Sequence, residues 1–257
     1  MDLGLKGKLA LVTASSGGLG RTIADALAAE GANLVLFARS EEKLKELART
    51  TAERHHVDVH AHAGSMVEAA DVQRLAATLE GLGGLDVMVL LTGRPPTPLR
   101  PTLDETEHHR WDEAYRNQLS AVVEVVNGIV PLMLGRDWAR VIAVTSAHAK
   151  QPAVGHALST VFRAAVTAYM KGLAAEVAHE RVTVNCVAPA LIDTSHRTGE
   201  AAYTEEQSAH RRSLSPLGRM GTQEELAAVV AFLCSRQAGF ITGTTVAVEG
   251  GMVGSMF

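Results

Sequence analysis

Ser146, Ser159 and Arg163 are residues whose types and spacing could do chemistry together. Ser146 follows Arg140-Val-Ile-Ala-Val-Thr145, an apolar run that reads as a strand. Open α/β sheets bind ligands at the carboxyl ends of their strands. Ser159 comes 13 residues later and Arg163 four after that, which puts the last two one turn apart on a helix face. A hydroxyl can polarise a bound oxygen, and a guanidinium is a permanent, multiply donating cation. His148 and His156 lie within the same stretch, and imidazole exchanges protons near neutral pH. Each of these residues also has a plain reading: a serine bonding its own i−4 carbonyl, or a histidine at a loop surface.

The surrounding elements must hold these residues at a strand edge. Lys8–Thr13 (KLALVT) is a short apolar run, followed by Ala-Ser-Ser-Gly-Gly-Leu-Gly and a helical pattern. Glycines at a strand-to-helix turn let backbone approach a phosphate at the helix N-terminus, where N–H groups and the dipole favour anions. Ser15, Ser16, Gly18, Leu19 and Gly20 are therefore candidate phosphate contacts; an ordinary glycine turn is the alternative. Asn33–Ala38 reads as a second strand. Ala38 stands where an acid would hold a ribose 2′-hydroxyl, and Arg39 follows. A guanidinium there can clamp a 2′-phosphate, or simply be solvated before the helix that starts at Ser40. Val57–Ala63 reads as a third strand and Asp86–Thr92 as a fourth. His60 and His62 alternate along the third strand and read as a polar strand face rather than metal ligands, for want of cysteines or acids at ligand spacing. Gly93-Arg94-Pro95-Pro96 opens a stiff extended loop. Arg94 is either an anion contact at the crevice mouth or a loop charge.

A long helical pattern covers residues 104–134 and includes Asn117. A second, poor in charge, covers Val154–Ala178; helices apolar nearly all round are buried against a sheet or another subunit. Arg181–Val187 and Thr244–Val248 read as further strands, and Glu224–Ser235 as a helix. The alternation predicts a doubly wound, Rossmann-type α/β fold, a parallel sheet of about seven strands in three α/β/α layers.

This frame resembles the short-chain dehydrogenase/reductase (SDR) family, and within it the 3-oxoacyl-acyl-carrier-protein reductase-like members. In that family a serine ending the fifth strand is followed, at the same spacing, by a Tyr-x-x-x-Lys helix turn. Here Ser159 holds the tyrosine position and Arg163 the lysine position. The family's Thr-Gly-x-x-x-Gly-x-Gly is matched by Thr13, Gly18 and Gly20, with Ala14 in place of the first glycine. Its Asn-Asn-Ala-Gly reads Leu90-Leu91-Thr92-Gly93, its adenine-binding aspartate gives way to Gly64-Ser65, its Pro-Gly…Thr reads Pro189-Ala190…Thr194, and its final Asp-Gly-Gly reads Glu249-Gly250-Gly251. The resemblance spans about residues 5 to 251. It implies catalytic roles for Ser146, Asn117 and the Ser159/Arg163 positions. It implies cofactor contacts at Thr13, Ser15, Ser16, Gly18, Leu19, Gly20, Arg39, Gly93, Arg163, Pro189 and Thr194. Thr194 would meet the nicotinamide carboxamide or cap a helix.

Tyr115, Tyr169 and Tyr203 are followed four residues on by Leu119, Leu173 and Gln207, so no Tyr-x-x-x-Lys exists in any register. The expected activity is NADP(H)-dependent interconversion of a small ketone and a secondary alcohol. Ser146 would polarise the carbonyl, and His148 or His156 would give the proton that tyrosine gives elsewhere. Two alternatives stand beside it: a degenerate member that keeps the fold for nucleotide binding or assembly, and a redox-neutral lyase or isomerase. Further expectations are a single domain over 1–257 with a substrate lid at about 195–216, a homotetramer or homodimer built on the helices at 104–134 and 154–178, and a cytoplasmic location. No apolar run suggests a membrane span. A net charge of −4 with 47% hydrophobic and only 4% aromatic residues gives no basic or aromatic-basic surface for nucleic acid. Cys186 and Cys234, both in apolar runs, read as buried free thiols.

Overall fold

A computed structural model describes residues 2–193 and 204–255. Seven strands, β1 (Leu9–Thr13), β2 (Asn33–Ala38), β3 (Val59–Ala63), β4 (Val87–Leu91), β5 (Ala139–Val144), β6 (Val182–Pro189) and β7 (Thr245–Val248), form one sheet. Their order is β3-β2-β1-β4-β5-β6-β7, with every neighbouring pair parallel. The runs NLVLFA, VMVLL and ARVIAV are almost wholly buried, as parallel strands covered on both faces must be. The helices are α1 (Gly18–Ala29), α2 (Glu41–His55), α3 (Ala69–Gly81), α4 (His108–Tyr115), α5 (Ala121–Ile129), α6 (Ala157–Val177), α7 (Glu205–Ser213) and α8 (Gln223–Cys234). Side chains alternate between faces along each strand. Leu34 and Leu36 pack with Ile23, Leu27, Leu44 and Leu226 on the α1/α2/α8 side. Val35 and Phe37 pack with Leu75, Val125 and Met170 on the α3/α5/α6 side. Burying each such leucine or phenylalanine is worth about 1.5–3 kcal/mol as an upper bound.

The strand order reverses between β1 and β4, the point where open α/β sheets bind ligands. Thr13 ties these strands together there. Its buried hydroxyl donates to Leu91 O (3.0 Å) and accepts from Leu91 N (2.8 Å).

The helix expected over 104–134 is broken instead. A 3-10 turn at Thr102–Asp104 precedes α4, a π-helical turn at Arg116–Ser120 separates α4 from α5, and a second 3-10 turn at Val130–Met133 carries Pro131. Proline cannot supply an N–H to prolong an α-helix. Strand β3 starts at Val59 rather than Val57, because His56 ends α2 in the left-handed conformation (φ 57°). Helix α6 starts at Ala157 rather than Val154, after a Gly155 at φ 76°. It buries one side only, through Leu158, Val166, Met170, Ala174 and Val177, and leaves Val161 exposed. Strand β6 runs on to Pro189, which pairs with Val248. Cys186 and Cys234 are buried free thiols, and burial pushes both up to about 12. Among the described residues no helix is long and apolar enough to cross a membrane.

Candidate active site

The turn after β1 is built from conformations that few residues tolerate. Ala14 stands at φ 50° and Gly18 at φ 53°. An L-residue with a Cβ pays about 1–2 kcal/mol in that region. Gly17 caps α1 with no side-chain hydrogen bond, so the first N–H groups of the helix have no protein side chain on them. A Cβ on Gly20 would lie 2.5 Å from Ala14 O and 2.9 Å from Ser15 Cα. Only glycine lets α1 sit this close to the strand end. Space around Gly17 and Gly18 is open. Ser15 is fully buried and its Oγ has no partner, while Ser16 lines the adjoining cleft. Leu19 packs its side chain into the core and can offer a ligand only backbone. Thr13, expected among the cofactor contacts, also clamps the strands, with its hydroxyl proton given to Leu91 O.

The cleft has a volume of about 810 Å³ and runs over the ends of β1, β2 and β4. At one end are Arg39 and Lys43, two exposed cations flanking Ser40, the N-cap of α2. Arg39 was legible from its place after β2. Lys43 carries no such mark in the sequence; its position in Ser40-Glu-Glu-Lys puts it in the first turn of α2. After β3, a side chain at Gly64 would strike the Phe37 ring at 2.6 Å, so the backbone itself forms this wall. Asp71 accepts from Ser65 N (2.7 Å) and caps the turn; that bond and Arg74 hold its carboxyl below the usual range.

At the other end, Gly93 N donates to Asn117 O (3.3 Å). A Cβ on Gly93 would come within 3.1 Å of Asn117 Cβ. Asn117 thus reaches the β4 end through its backbone, and the π turn sets its position along the cleft wall. Thr92 lines the cleft with a buried Oγ1 that has no partner. The loop after Gly93 is pinned by Arg110, which donates to both Glu105 carboxylate oxygens (2.8 Å each) and to Pro98 O (2.7 Å). That guanidinium holds the Glu105 carboxyl below its ordinary range.

Arg163 reaches from α6 to the same strand ends. Its Nη1 donates to Val144 O and its Nη2 to Gly93 O, both at 3.0 Å. Its Nε is buried without a partner, and desolvation pulls the guanidinium down to about 10, still charged at neutral pH. Ser146, two residues past Val144, accepts from His148 N through its Oγ (3.2 Å). That bond leaves the Ser146 hydroxyl proton available. The Ser159 hydroxyl makes no hydrogen bond among the described residues, not even to its i−4 carbonyl. The spacing therefore brings Arg163 and Ser146 to one edge, with Ser159 on the first turn of α6. The His148 and His156 rings lie against each other with centroids 4.4 Å apart and planes tilted by 36°. Pro189 ends β6. Thr194 and residues 195–203 of the expected lid lie outside the described residues. The described remainder of the lid holds α7, fixed by a capping box between Thr204 and Gln207.

The sheet order, the glycine turn at the switch point and the serine ending β5 define a nucleotide-fold class of protein, and the chain belongs to the short-chain dehydrogenase/reductase family. A family model described as enoyl-(acyl carrier protein) reductase matches residues 13–253. The 3-oxoacyl-acyl-carrier-protein reductase FabG of Aquifex aeolicus is 32% identical over 255 residues, covering 98% of this chain and 100% of that protein. Human dehydrogenase/reductase SDR family member 4 is 33% identical over 248 residues, covering 96% and 88%. A crystal structure of L-sorbose reductase from Gluconobacter frateurii complexed with NADPH and L-sorbose matches with a TM-score of 0.90 at 31% identity, covering 100% of both chains.

Proposed function

We propose that the chain is an NADP(H)-dependent oxidoreductase that interconverts a small ketone and a secondary alcohol with a proton donor other than tyrosine. The observation that carries this reading is the continuous cleft from Arg39 and Lys43 to Gly93 and Asn117 at the switch point. Residues in this cleft and beside it fit the cofactor. The open backbone at Gly17 and Gly18, the uncapped start of α1 and the partnerless Ser15 hydroxyl suit a pyrophosphate. Arg39, with Lys43 beside it, suits a 2′-phosphate. Gly93, the remaining Arg163 donors, Pro189 and Thr194 would flank the nicotinamide half. The cofactor, when bound, supplies or accepts the hydride.

In the reducing direction the carbonyl carbon would gain the hydride that the cofactor supplies and its oxygen would gain a proton. Ser146 Oγ, already accepting from His148 N, donates its own proton in a hydrogen bond to the substrate oxygen. The transferred proton comes from the imidazolium of His148 or His156, and solvent replaces it. Burial holds both imidazoles below their usual value, which makes their protonated forms stronger acids. Arg163 stays charged and positions the strand ends. Residues 204–216, with 195–203, would cover the site as a lid on a single domain over 1–257.

A non-catalytic nucleotide-binding role is the second reading. The Arg163 guanidinium spent on two backbone carbonyls favours it. Titration with NADPH and with NADH, followed by turnover on a panel of ketones, decides between them. NADPH binding with turnover supports the first reading; binding with none supports the second; absence of binding removes both.

A further inference from the structure

The cleft wall that follows β3 offers a ligand a hydroxyl but no free acid. Gly64 N donates to Ala38 O (3.0 Å), so the β2–β3 pairing runs on to the cleft edge and sets Gly64-Ser65 beside Arg39. Ser65, Met66 and Val67 then line the cleft, each half-buried. Asp71 packs behind this wall: a Cβ on Gly64 would lie 3.1 Å from the Asp71 Cβ. Both of its oxygens are taken. Oδ2 accepts from Ser65 N and Oδ1 from Arg74 Nη2, each at 2.7 Å. Glu68 is turned to Arg116 (4.0 Å). Glu113, on α4, also lines the cleft but is solvent-exposed. The Ser65 hydroxyl makes no hydrogen bond among the described residues. The backbone of Ser65 ties the turn together, and its side chain is left for a ligand.

We propose that Ser65 reads the cofactor's base and takes a 6-oxo purine as readily as a 6-amino purine, so that the hypoxanthine analogue of NADP(H) binds as well as NADP(H) itself. This rests on the proposed function, which puts the 2′-phosphate at Arg39. That phosphate sits on the ribose that also carries the base, so the base lies one sugar away, against Ser65, Met66 and Val67. Met66 and Val67 give apolar contact, which the face of any purine meets alike. Selection among purines then falls to the group at C6. Adenine presents an amine there, a donor, whereas a 6-oxo purine presents an acceptor. A carboxylate only accepts, so it would bond the amine and repel the oxygen; a serine hydroxyl both donates and accepts. Changing from one role to the other takes only a rotation about the Cβ–Oγ bond. Glu113 stands in water, which competes for any bond it makes to one base rather than the other.

The test uses the full chain and reads binding rather than turnover. Calorimetric titration compares NADPH with its hypoxanthine analogue, and 2′-phospho-AMP with 2′-phospho-IMP. The two members of each pair should bind within about threefold of each other. Ser65→Ala should weaken both members alike, by about two- to tenfold, the worth of one neutral hydrogen bond. Ser65→Asp should favour the amino member by about tenfold or more, because its carboxylate only accepts. Should the aspartate disturb the turn, Ser65→Ala still reads the contact, since the bond to Asp71 comes from the backbone and survives. Glu113→Gln should leave the ratio unchanged. NADPH binding more than about tenfold tighter than its analogue, Ser65→Ala without effect on either, or an adenine preference that Glu113→Gln abolishes would each overturn the assignment. An adenine preference accompanied by ketone turnover would sink the serine assignment alone. Absence of binding by any of these ligands would remove the cofactor reading together with it. Equal binding of both bases without turnover would uphold Ser65 as the base reader and favour the non-catalytic role.

Discussion

Arg39→Ala separates a phosphate-reading guanidinium from a surface charge. Arg39 is exposed and has no hydrogen bond or ion pair among the described residues. Its removal should therefore leave folding stability within about 0.5 kcal/mol. A hydrogen bond to a charged group is worth about 1.5–3 kcal/mol net, and exposure to salt trims this to about 1–3 kcal/mol. At about 1.4 kcal/mol per decade, NADPH affinity should fall roughly 5- to 150-fold. NADH carries no 2′-phosphate and should bind the variant as it binds the natural chain. Lys43 offers one mobile ammonium on an exposed helix turn, so Lys43→Ala should cost about 0.2–1 kcal/mol. Calorimetric titration of both cofactors at low and high salt reads all of these together. The natural chain's NADPH preference should shrink as salt rises, and the preference of Arg39→Ala should depend on salt much less. Parallel losses for NADPH and NADH, or a stability loss matching the affinity loss, would refute the 2′-phosphate assignment.

Ala14→Gly should raise folding stability by about 0.5–1 kcal/mol, because relief of the left-handed strain outweighs the entropy glycine adds to the unfolded chain; urea denaturation measures it, and a loss would show that the turn is not strained. Thr13→Val removes both bonds to Leu91 across the switch point and should cost about 1–3 kcal/mol by the same assay. Light scattering at micromolar concentration should give a dimer or tetramer mass, since α6 leaves Val161 exposed; a monomer mass would contradict it. Simple neutral ketones should be reduced slowly or not at all by the natural chain. The double change Ser159→Tyr with Arg163→Lys should raise that NADPH-dependent rate by about 10²–10⁴, the usual worth of a general acid; no gain in a folded variant would mean that the tyrosine geometry is not preserved.

The sheet was legible because parallel strands buried on both faces are continuous apolar runs, and NLVLFA, VMVLL and RVIAV are such runs. The glycine turn was legible because Gly20 is a steric demand: its Cβ has nowhere to go. The breaks in the 104–134 helix were not legible. The change to π-helical bonding at Arg116–Ser120 alters backbone partners without altering the spacing of apolar residues, so no polarity pattern records it. The contact of His148 with His156 was equally hidden, because it depends on a loop path through a left-handed Gly155. Arg163 shows where the two kinds of information meet. Its spacing from Ser146 brought it to the ends of β4 and β5, but which atoms it would bond could not be read from type and number. A lysine there ends in a compact ammonium on a flexible stem. The planar fork of Arg163 reaches Val144 O and Gly93 O at once and still has donors left. It joins the two strand ends that form the crevice floor, next to the serine that would polarise a carbonyl. A chain lacking the family's tyrosine thus keeps a fixed cation at the same edge and places two imidazoles in contact a few residues away. Turnover of ketones with NADPH distinguishes a site rearranged around a different acid from one worn down.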